Sequence, residues 1–154
     1  MNTLQPIGVL KTKEVKCNYI QDSLALFNKI TEKTNNHLLL DSAEIESKAH
    51  LKSLMLIDAC MKITCNGLTV TFDALTDNGK DLITFIAPQF STQYITQQTT
   101  SVLQVTFPAS DRSGDEDKRL KSMSPVDALR SLVDNIKTES SHQQALFLGG
   151  VFAY

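Results

Sequence analysis

The stretch that decides the fold is Met61–Phe72, which reads MKITCNGLTVTF. Apolar and polar residues alternate on both sides of Asn66-Gly67, the residue pair that best tolerates the positive φ angles of a type I′ turn. The pattern therefore predicts a β-hairpin with Asn66 and Gly67 at its tip, and a one-residue slip would move the apolar set onto the polar face. The predicted cross-strand pairs are Cys65 with Leu68, Ile63 with Val70, Met61 with Phe72, Thr64 with Thr69, and Lys62 with Thr71.

The composition around this hairpin is that of a folded single domain. The chain has 154 residues, of which 42% are hydrophobic and 21% charged, and its formal net charge is −2. A chain of this size can bury a substantial core. It has no basic cluster, so we expect neither nucleic acid nor a membrane surface as a partner. Residues 1–6 lack the basic region followed by an apolar run that is typical of a secretory leader, and no apolar run has membrane-spanning length, so the cytoplasm is the expected location.

The spacing of cysteine, histidine and acidic residues predicts no metal site. The cysteines are odd in number and widely spaced, which indicates reduced thiols in a cytosolic protein. The histidines stand apart from other ligand types, so structural or surface roles are expected for them. Strand or loop geometry would splay Asp41, Glu44 and Glu46, which argues against a hard-cation site. The cysteines are Cys17, Cys60 and Cys65, and the histidines are His37, His50 and His142.

Upstream of the hairpin the sequence predicts two strands and a helix. Residues 10–19 alternate loosely, as in a short half-buried strand. Asp22 is a suitable N-cap for a helix that continues to about Lys33. A buried strand then covers His37–Leu40. The face of the first strand would be Val15, Cys17 and Tyr19, and the helix stripe would be Leu24, Leu26, Phe27 and Ile30.

Downstream of the hairpin a helix is expected to open at Asp77-Asn78-Gly79 and to stop at Pro88, with Leu82, Ile83 and Ile86 on its apolar face. Residues 91–101 are almost all Ser, Thr and Gln, which suits either an exposed edge strand or a loop. Residues 102–107 are predicted to form a strand, and residues 110–118 a mobile loop.

The last third of the chain predicts a helix, a polar linker and an apolar strand. Ser124, Pro125 and Asp127 are favourable at a helix start, because they cap free amides, suit the first turn and complement the helix dipole. Residues 138–144 are polar, and residues 145–154 form an apolar run that stops at the chain end. The expected buried face of the helix is Val126, Leu129, Leu132, Val133 and Ile136.

Together these elements predict an α+β fold, a mainly antiparallel sheet with about three helices packed on one side. Because a chain rarely ends inside a core strand, we expect residues 1–154 to be one domain truncated at its C-terminus. An unfinished sheet has an exposed edge, so self-association is expected.

A dense polar cluster follows the three leucines at residues 38–40. The segment Asp41–Lys48 reads DSAEIESK and stands directly at the predicted strand end. Polar groups held at a rigid strand end suit recognition of a small zwitterion or anion. The residue types alone favour the simpler interpretation, a strand followed by a solvated loop, because charged loop residues are common and usually serve only solubility.

The stretch Leu38–Lys48, continued by Leu51–Leu54, closely resembles the signature near the start of anthranilate synthase component I, the large chorismate-binding subunit. The resemblance covers all 154 residues, whereas the family's subunit is much longer, so the chain is expected to be its N-terminal fragment. Further matching segments are Val70-Thr71, Leu75–Leu82, Asp115–Leu120, Asp127–Arg130 and Phe147–Tyr154.

This resemblance implies a role in tryptophan biosynthesis. The family's large subunit is a lyase that converts chorismate to anthranilate and pyruvate, with magnesium as cofactor. A glutamine amidotransferase partner, component II, delivers the ammonia. The chorismate and magnesium residues of the family are expected beyond Tyr154, so that the resemblance implies no catalytic or metal residue here and an inactive chain when alone.

The resemblance also implies part of an allosteric tryptophan site, comprising Leu40, Asp41, Ser42 and Lys52. The family's Leu-Leu-Glu-Ser motif corresponds to Leu39–Ser42, with Asp41 where Glu is commoner. The charge is kept and one methylene is lost, so a contact to the tryptophan ammonium would either persist through water or weaken. Feedback inhibition is expected to be retained.

Two alternatives remain open at this point. One is the related large subunit of aminodeoxychorismate synthase, in which tryptophan would be bound structurally. The other is a free-standing module that binds an amino acid or another protein and has no enzymatic role. The length of the match at Asp41–Lys48 favours anthranilate synthase component I over the first alternative.

Overall fold

The computed structural model describes residues 8–13, 15–32, 35–41, 53–109 and 123–140, and within them the chain has the predicted α+β architecture. Two single 3₁₀ turns, Ala87–Gln89 and Thr92–Tyr94, follow the second helix. The helices are α1 (Ser23–Thr31), α2 (Asp77–Ile86) and α3 (Pro125–Asp134). The strands are β1 (Gly8–Thr12), β2 (Leu38–Asp41), β3 (Ser53–Leu56), β4 (Met61–Asn66), β5 (Thr69–Ala74), β6 (Ile95–Gln98), β7 (Val102–Thr106) and β8 (Ile136–Ser140).

The core lies on a four-stranded antiparallel sheet in the order β4-β5-β7-β6. Val70 pairs with Val105 and Phe72 pairs with Leu103, and all four side chains are fully buried. Because successive side chains of a strand point to opposite faces, this one face of β5 and β7 carries the apolar set. Helices α2 and α3 both contact β5, and their side chains join the same core.

The predicted hairpin is confirmed, but its predicted register is wrong by two residues. Ile63 pairs with Phe72 and Cys65 with Val70, so the two turn residues are Gly67 and Leu68. Gly67 has a φ of +57°, and glycine at the first turn position is typical of a type II′ turn. A two-residue shift preserves the alternation, so the apolar faces are the predicted ones.

Helix α2 is confirmed, and it packs closely on the hairpin. Its N-cap is Thr76, whose hydroxyl accepts a hydrogen bond from the Gly79 amide at 3.4 Å. Ile83 and Ile86 are buried, as the apolar stripe predicts. The Cys60 carbonyl lies against Gly79, and a Cβ atom built on Gly79 would collide with that oxygen.

Helix α3 starts as predicted but buries only part of the predicted face. The Asp127 carboxylate accepts hydrogen bonds from the Ser124 amide at 2.8 Å and from the Ser124 hydroxyl at 2.7 Å. Ala128 and Leu132 are buried, whereas the predicted core residues Val126 and Val133 are 55% and 57% exposed. The sheet therefore contacts a narrower stripe than the spacing of apolar residues indicates.

The chain after α3 also departs from the prediction. The helix ends at Asp134, so Ile136 belongs to β8 rather than to the helix face. The predicted linker over residues 138–144 begins inside this strand. Asn135 marks the change: its side chain donates to the Ser131 carbonyl at 2.9 Å, and its own carbonyl accepts from the Gly8 amide at 2.8 Å.

Strand β8 pairs in parallel with β1, and the other described strand pairs are antiparallel, so the sheets are mainly antiparallel as predicted. The predicted strand over residues 10–19 is wrong, because the strand is Gly8–Thr12 and residues 15–20 have no regular structure. Val15 and Tyr19 are 72% and 90% exposed. Backbone pairing with a distant polar strand, rather than side-chain alternation, decides where β1 lies.

Of the remaining predictions, some are confirmed and the others concern residues that the structure does not describe. Strand β7 confirms the predicted strand over residues 102–107, and the open choice for residues 91–101 resolves as the exposed edge strand β6. The predicted loop at residues 110–118 and the apolar run at residues 145–154 lie outside the described residues. None of the described helices has the length and apolar character needed to cross a membrane.

Replacing Gly79 by alanine is expected to lower the free energy of unfolding by about 1–3 kcal/mol, since the new methyl group must displace the Cys60 backbone. Urea unfolding followed by circular dichroism measures the change. Asn78→Ala, on an exposed position of the same turn, is the control and should stay within about 0.5 kcal/mol. Equal stability of the two variants would contradict the close packing.

The contribution of Asp127 to stability is expected to depend on pH. Hydrogen bonds from Ser124 hold the pKa of the Asp127 carboxyl below its usual range. Because the folded-state pKa is the lower one, the stabilisation is complete above the unfolded-state pKa of about 3.9 and is lost as the pH falls through the folded-state value.

The variant Asp127→Asn should therefore lose about 1 kcal/mol at neutral pH and less once the pH falls below the unfolded-state pKa of about 3.9. Urea unfolding at a series of pH values measures this difference. Asp81→Asn, an exposed carboxyl in α2, is the control and should change stability by less than about 0.5 kcal/mol. A loss at Asp127 that is constant with pH would show that the carboxylate charge is not involved.

Candidate functional site

The candidate site is the end of the β2–β3 hairpin at which the chain leaves β2 and returns into β3. In this antiparallel pair Asp41 lies directly opposite Ser53, and Leu40 lies opposite Leu54. The predicted site residues Ser42 and Lys52 are the chain neighbours of Asp41 and Ser53, and both lie outside the described residues. The ladder thus brings the two attachment points of the predicted site together.

The predicted residues that the structure describes are Leu40 and the backbone of Asp41. Leu40 is 45% exposed, and Leu38 and Leu39 are partly buried. The expectation of a fully buried strand is therefore wrong, because β2 has a single described strand neighbour and lies outside the four-stranded sheet. A partly exposed apolar side chain at this strand end is a suitable contact for the apolar part of a small molecule.

The opposite end of the hairpin is held by a second set of contacts, which we call the hairpin clamp: Asn36, His37, Asp58 and Ala59. The Asp58 amide donates to the His37 Nδ1 atom at 3.0 Å, and the Ala59 amide donates to the Asn36 carbonyl at 3.3 Å. Asn36 and Asp58 have φ angles of 73° and 54°. Asn and Asp are the residue types other than glycine that best tolerate this left-handed region.

Helix α1 contacts the hairpin on the clamp side. Its start is confirmed by Asp22, whose carboxylate accepts from the Ala25 amide at 2.8 Å. The Phe27 ring meets the His37 imidazole edge to face, at 6.5 Å between centroids and 87° between planes. No residue of α1 is buried, and Leu24 and Ile30 of its apolar stripe are 57% and 49% exposed. The His37 imidazole thus contacts Phe27 of α1 on one side and the amide of Asp58, just after β3, on another.

The sequence predicts only a structural or surface role for His37 and does not indicate its partner. The hydrogen bond that its Nδ1 atom accepts from the Asp58 amide is a structural role of this kind. The available signal was the pair of residues that tolerate left-handed backbone, Asn36 and Asp58, placed just before β2 and just after β3.

Two observations bear on the chemistry of the described residues. Burial raises the pKa of the Cys60 thiol, which disfavours the nucleophilic thiolate. Across the described ranges, no three His, Cys, Asp or Glu side chains converge as metal ligands would.

The fold and the hairpin end thus define an α+β protein with a candidate site for a small amphiphilic ligand. The chain matches no protein-family model. It is 39% identical over 151 residues to anthranilate synthase component 1 of Vibrio parahaemolyticus, which covers 98% of this chain and 28% of that protein. The same protein of Serratia marcescens is 38% identical over 154 residues, covering 100% of this chain and 29% of the relative.

A third relative is matched over most of its own length. Anthranilate synthase component 1 of Citrobacter freundii is 37% identical over 134 residues, which is 87% of this chain and 89% of that sequence. The chain belongs to the anthranilate synthase component 1 family. It spans less than a third of the length of the Vibrio and Serratia relatives.

Substitutions at Asp58 test the left-handed backbone of the hairpin clamp. Asp58→Val should lower the free energy of unfolding by about 1–2 kcal/mol, because a β-branched residue is strained at a φ of 54°. Asp58→Gly should change it by less than about 1 kcal/mol, since glycine adopts this region freely. Both variants keep the backbone amide that bonds His37, so urea unfolding isolates the backbone effect. If valine were tolerated as well as glycine, the clamp geometry would be wrong.

Proposed function

We propose that this chain supplies the tryptophan-sensing part of an anthranilate synthase component 1, with half of the feedback site at Leu40, Asp41, Ser42 and Lys52. The observation that carries the proposal is the pairing of Asp41 with Ser53. This pairing brings the chain neighbours of Ser42 and Lys52 together at one hairpin end. Membership of the component 1 family supports the same assignment.

The residue types at the hairpin end match the chemistry of a free amino acid. An ammonium group needs an anionic acceptor, which Asp41 supplies as a carboxylate. A carboxylate needs a hydroxyl or cationic donor, and Ser42 and Lys52 are of these types. An indole needs apolar contact, and the partly exposed Leu40 provides it.

Feedback requires that tryptophan bind two arrangements of the protein with different affinity, since a ligand shifts an equilibrium only by that difference. A hairpin end that completes a site with a second surface meets this condition. We place the second surface in the part of the component 1 sequence that this chain does not span. The chain alone then binds tryptophan weakly and does not turn over chorismate.

The whole protein, in this proposal, is a lyase of tryptophan biosynthesis that converts chorismate and ammonia to anthranilate and pyruvate in the cytoplasm. A glutamine amidotransferase subunit supplies the ammonia, and magnesium is the cofactor. The described residues do not fit a magnesium site, because no three potential ligands converge among them. We assign no step of the reaction to the described residues, and the role proposed for this chain rests on the hairpin end.

The shared name of the relatives favours this proposal over the alternatives. The relatives from Vibrio, Serratia and Citrobacter are all named anthranilate synthase component 1, rather than aminodeoxychorismate synthase. A free-standing module without an enzyme would not be expected to share 38% identity along its whole length with such a subunit.

The substitution Ser42→Ala tests the proposal in a component 1 protein that contains this chain. Anthranilate formation from chorismate and ammonia is followed by fluorescence as tryptophan is added. Loss of a hydroxyl that bonds a carboxylate should raise the half-inhibitory tryptophan concentration at least about tenfold. Ser91→Ala, an exposed position after α2, is the matched control and should be inhibited like the parent.

The assay tests the location of the tryptophan site and the proposed activity separately. Inhibition of Ser42→Ala at the parent's tryptophan concentration would show that the hairpin end is not the sensor. Absence of anthranilate formation by the parent protein would contradict the proposed activity itself.

A further inference from the structure

We propose that His37 is a positioning residue for tryptophan sensing, acting through the hairpin clamp at the end of the hairpin away from Ser42. The inference rests on the proposed function of the opposite end. His37 is not placed in contact with tryptophan. Its Nδ1 atom accepts the Asp58 amide hydrogen at 3.0 Å and so joins the segment before β2 to the segment after β3.

The clamp closes the hairpin at two points. Beside the bond between His37 and Asp58, the Ala59 amide donates to the Asn36 carbonyl at 3.3 Å. These bonds lie just beyond the pair Leu38–Leu56, which is the last pair of the ladder at that end. The described ladder therefore runs from the clamp to the pair of Asp41 and Ser53.

A ladder of this length needs such a closure to keep its register. It has four residue pairs, and two-stranded hairpins are marginally stable in water. Leu40 is 45% exposed, so burial of its side chain opposes slippage only in part. A one-residue slip would turn Leu40 to the other face and would separate Asp41 from Ser53. An intact clamp therefore keeps Asp41 opposite Ser53, and with them the residues that make up the proposed half-site.

The imidazole is itself held in place by α1. The edge-to-face contact with Phe27 favours one ring orientation, since the edge of one ring is attracted to the face of the other. The ring orientation directs Nδ1 at the Asp58 amide, 3.0 Å away. What the clamp requires of residue 37 is an acceptor atom at the Nδ1 position.

This requirement separates a positioning role from general packing. Phenylalanine keeps an aromatic ring against Phe27 and removes the acceptor. Asparagine removes the ring and places its Oδ1 acceptor at the same number of bonds from the backbone as Nδ1. Glutamine places its oxygen one bond further out. Sensing that depends on the acceptor ranks asparagine above phenylalanine, whereas sensing that depends on packing ranks them in the opposite order.

The test uses a component 1 protein that contains this chain and the fluorescence assay of anthranilate formation. Each variant's inhibition by L-tryptophan is scaled to its own rate without tryptophan, so that differences in the amount of folded enzyme cancel. His37→Phe should raise the half-inhibitory concentration about three- to tenfold, the effect of one lost hydrogen bond. His37→Asn should stay within about twofold of the parent.

A matched control removes a hydrogen bond elsewhere. Thr69→Val deletes the contact between the Thr69 and Thr106 hydroxyls, 3.0 Å apart in the four-stranded sheet, and should leave tryptophan inhibition unchanged. If His37→Phe gives no active enzyme, His37→Gln takes its place, with the same expected rise relative to His37→Asn.

The outcomes separate this inference from the proposed function. If Ser42→Ala loses tryptophan sensitivity while His37→Phe and His37→Asn both behave like the parent, the role of His37 is overturned and the site stands. If His37→Asn is as insensitive as His37→Phe, the acceptor is not what matters and the inference also fails. If Ser42→Ala itself keeps full sensitivity, the proposed site fails first.

Discussion

Strand β5 is the constraint on which the described fold depends. It is hydrogen-bonded to β4 on one edge and to β7 on the other, and its side chains Val70 and Phe72 are fully buried. Burying a residue of this kind contributes roughly 1.5–3 kcal/mol. Helices α2 and α3 pack on the same strand. The Cys60 carbonyl links the sheet to α2. It accepts a hydrogen bond from the Leu75 amide at 2.9 Å and lies against Gly79 of α2.

The part of the chain that carries the proposed site is held in a different way. Strands β2 and β3 form their own two-stranded sheet, and α1 has no buried residue. Their geometry depends on a few directed contacts: the cap at Asp22, the hairpin clamp and the ring contact of Phe27 with His37. Regions stabilised by few buried contacts open at low cost in free energy, and moving elements of regulated proteins are drawn from such regions. A sensor placed here can respond to a ligand without disturbing the sheet around β5.

The features that the sequence predicts well are those decided locally. Alternation around Asn66-Gly67 predicts the hairpin, and the residue types at Asp22 and Asp127 predict helix starts. The register differs from the prediction because Asn66 joins the ladder opposite Thr69. The turn is then Gly67-Leu68, with glycine first as in a type II′ turn, rather than Asn66-Gly67 as in a type I′ turn. The parallel pairing of β1 with β8 is beyond local reasoning, since it joins backbone segments from opposite parts of the chain.

The same division applies to the candidate site. The sequence predicts the strand and shows the polar residues that follow it. It also shows the family resemblance of Leu38–Lys48. The clamp is not, because the bond between His37 and Asp58 forms only when residues 21 positions apart are aligned by the ladder. Exposure of Leu40 likewise depends on β2 lying outside the main sheet, which three consecutive leucines do not indicate.

The central claim is that tryptophan is recognised at the β2–β3 hairpin end. The most direct test is calorimetric titration of L-tryptophan into a component 1 protein that contains this chain, in parallel with its Ser42→Ala variant. The account predicts saturable binding by the parent with one site per subunit, and loss of that binding in the variant. Equal binding by both proteins, or no binding by the parent up to the solubility limit of tryptophan, would contradict it.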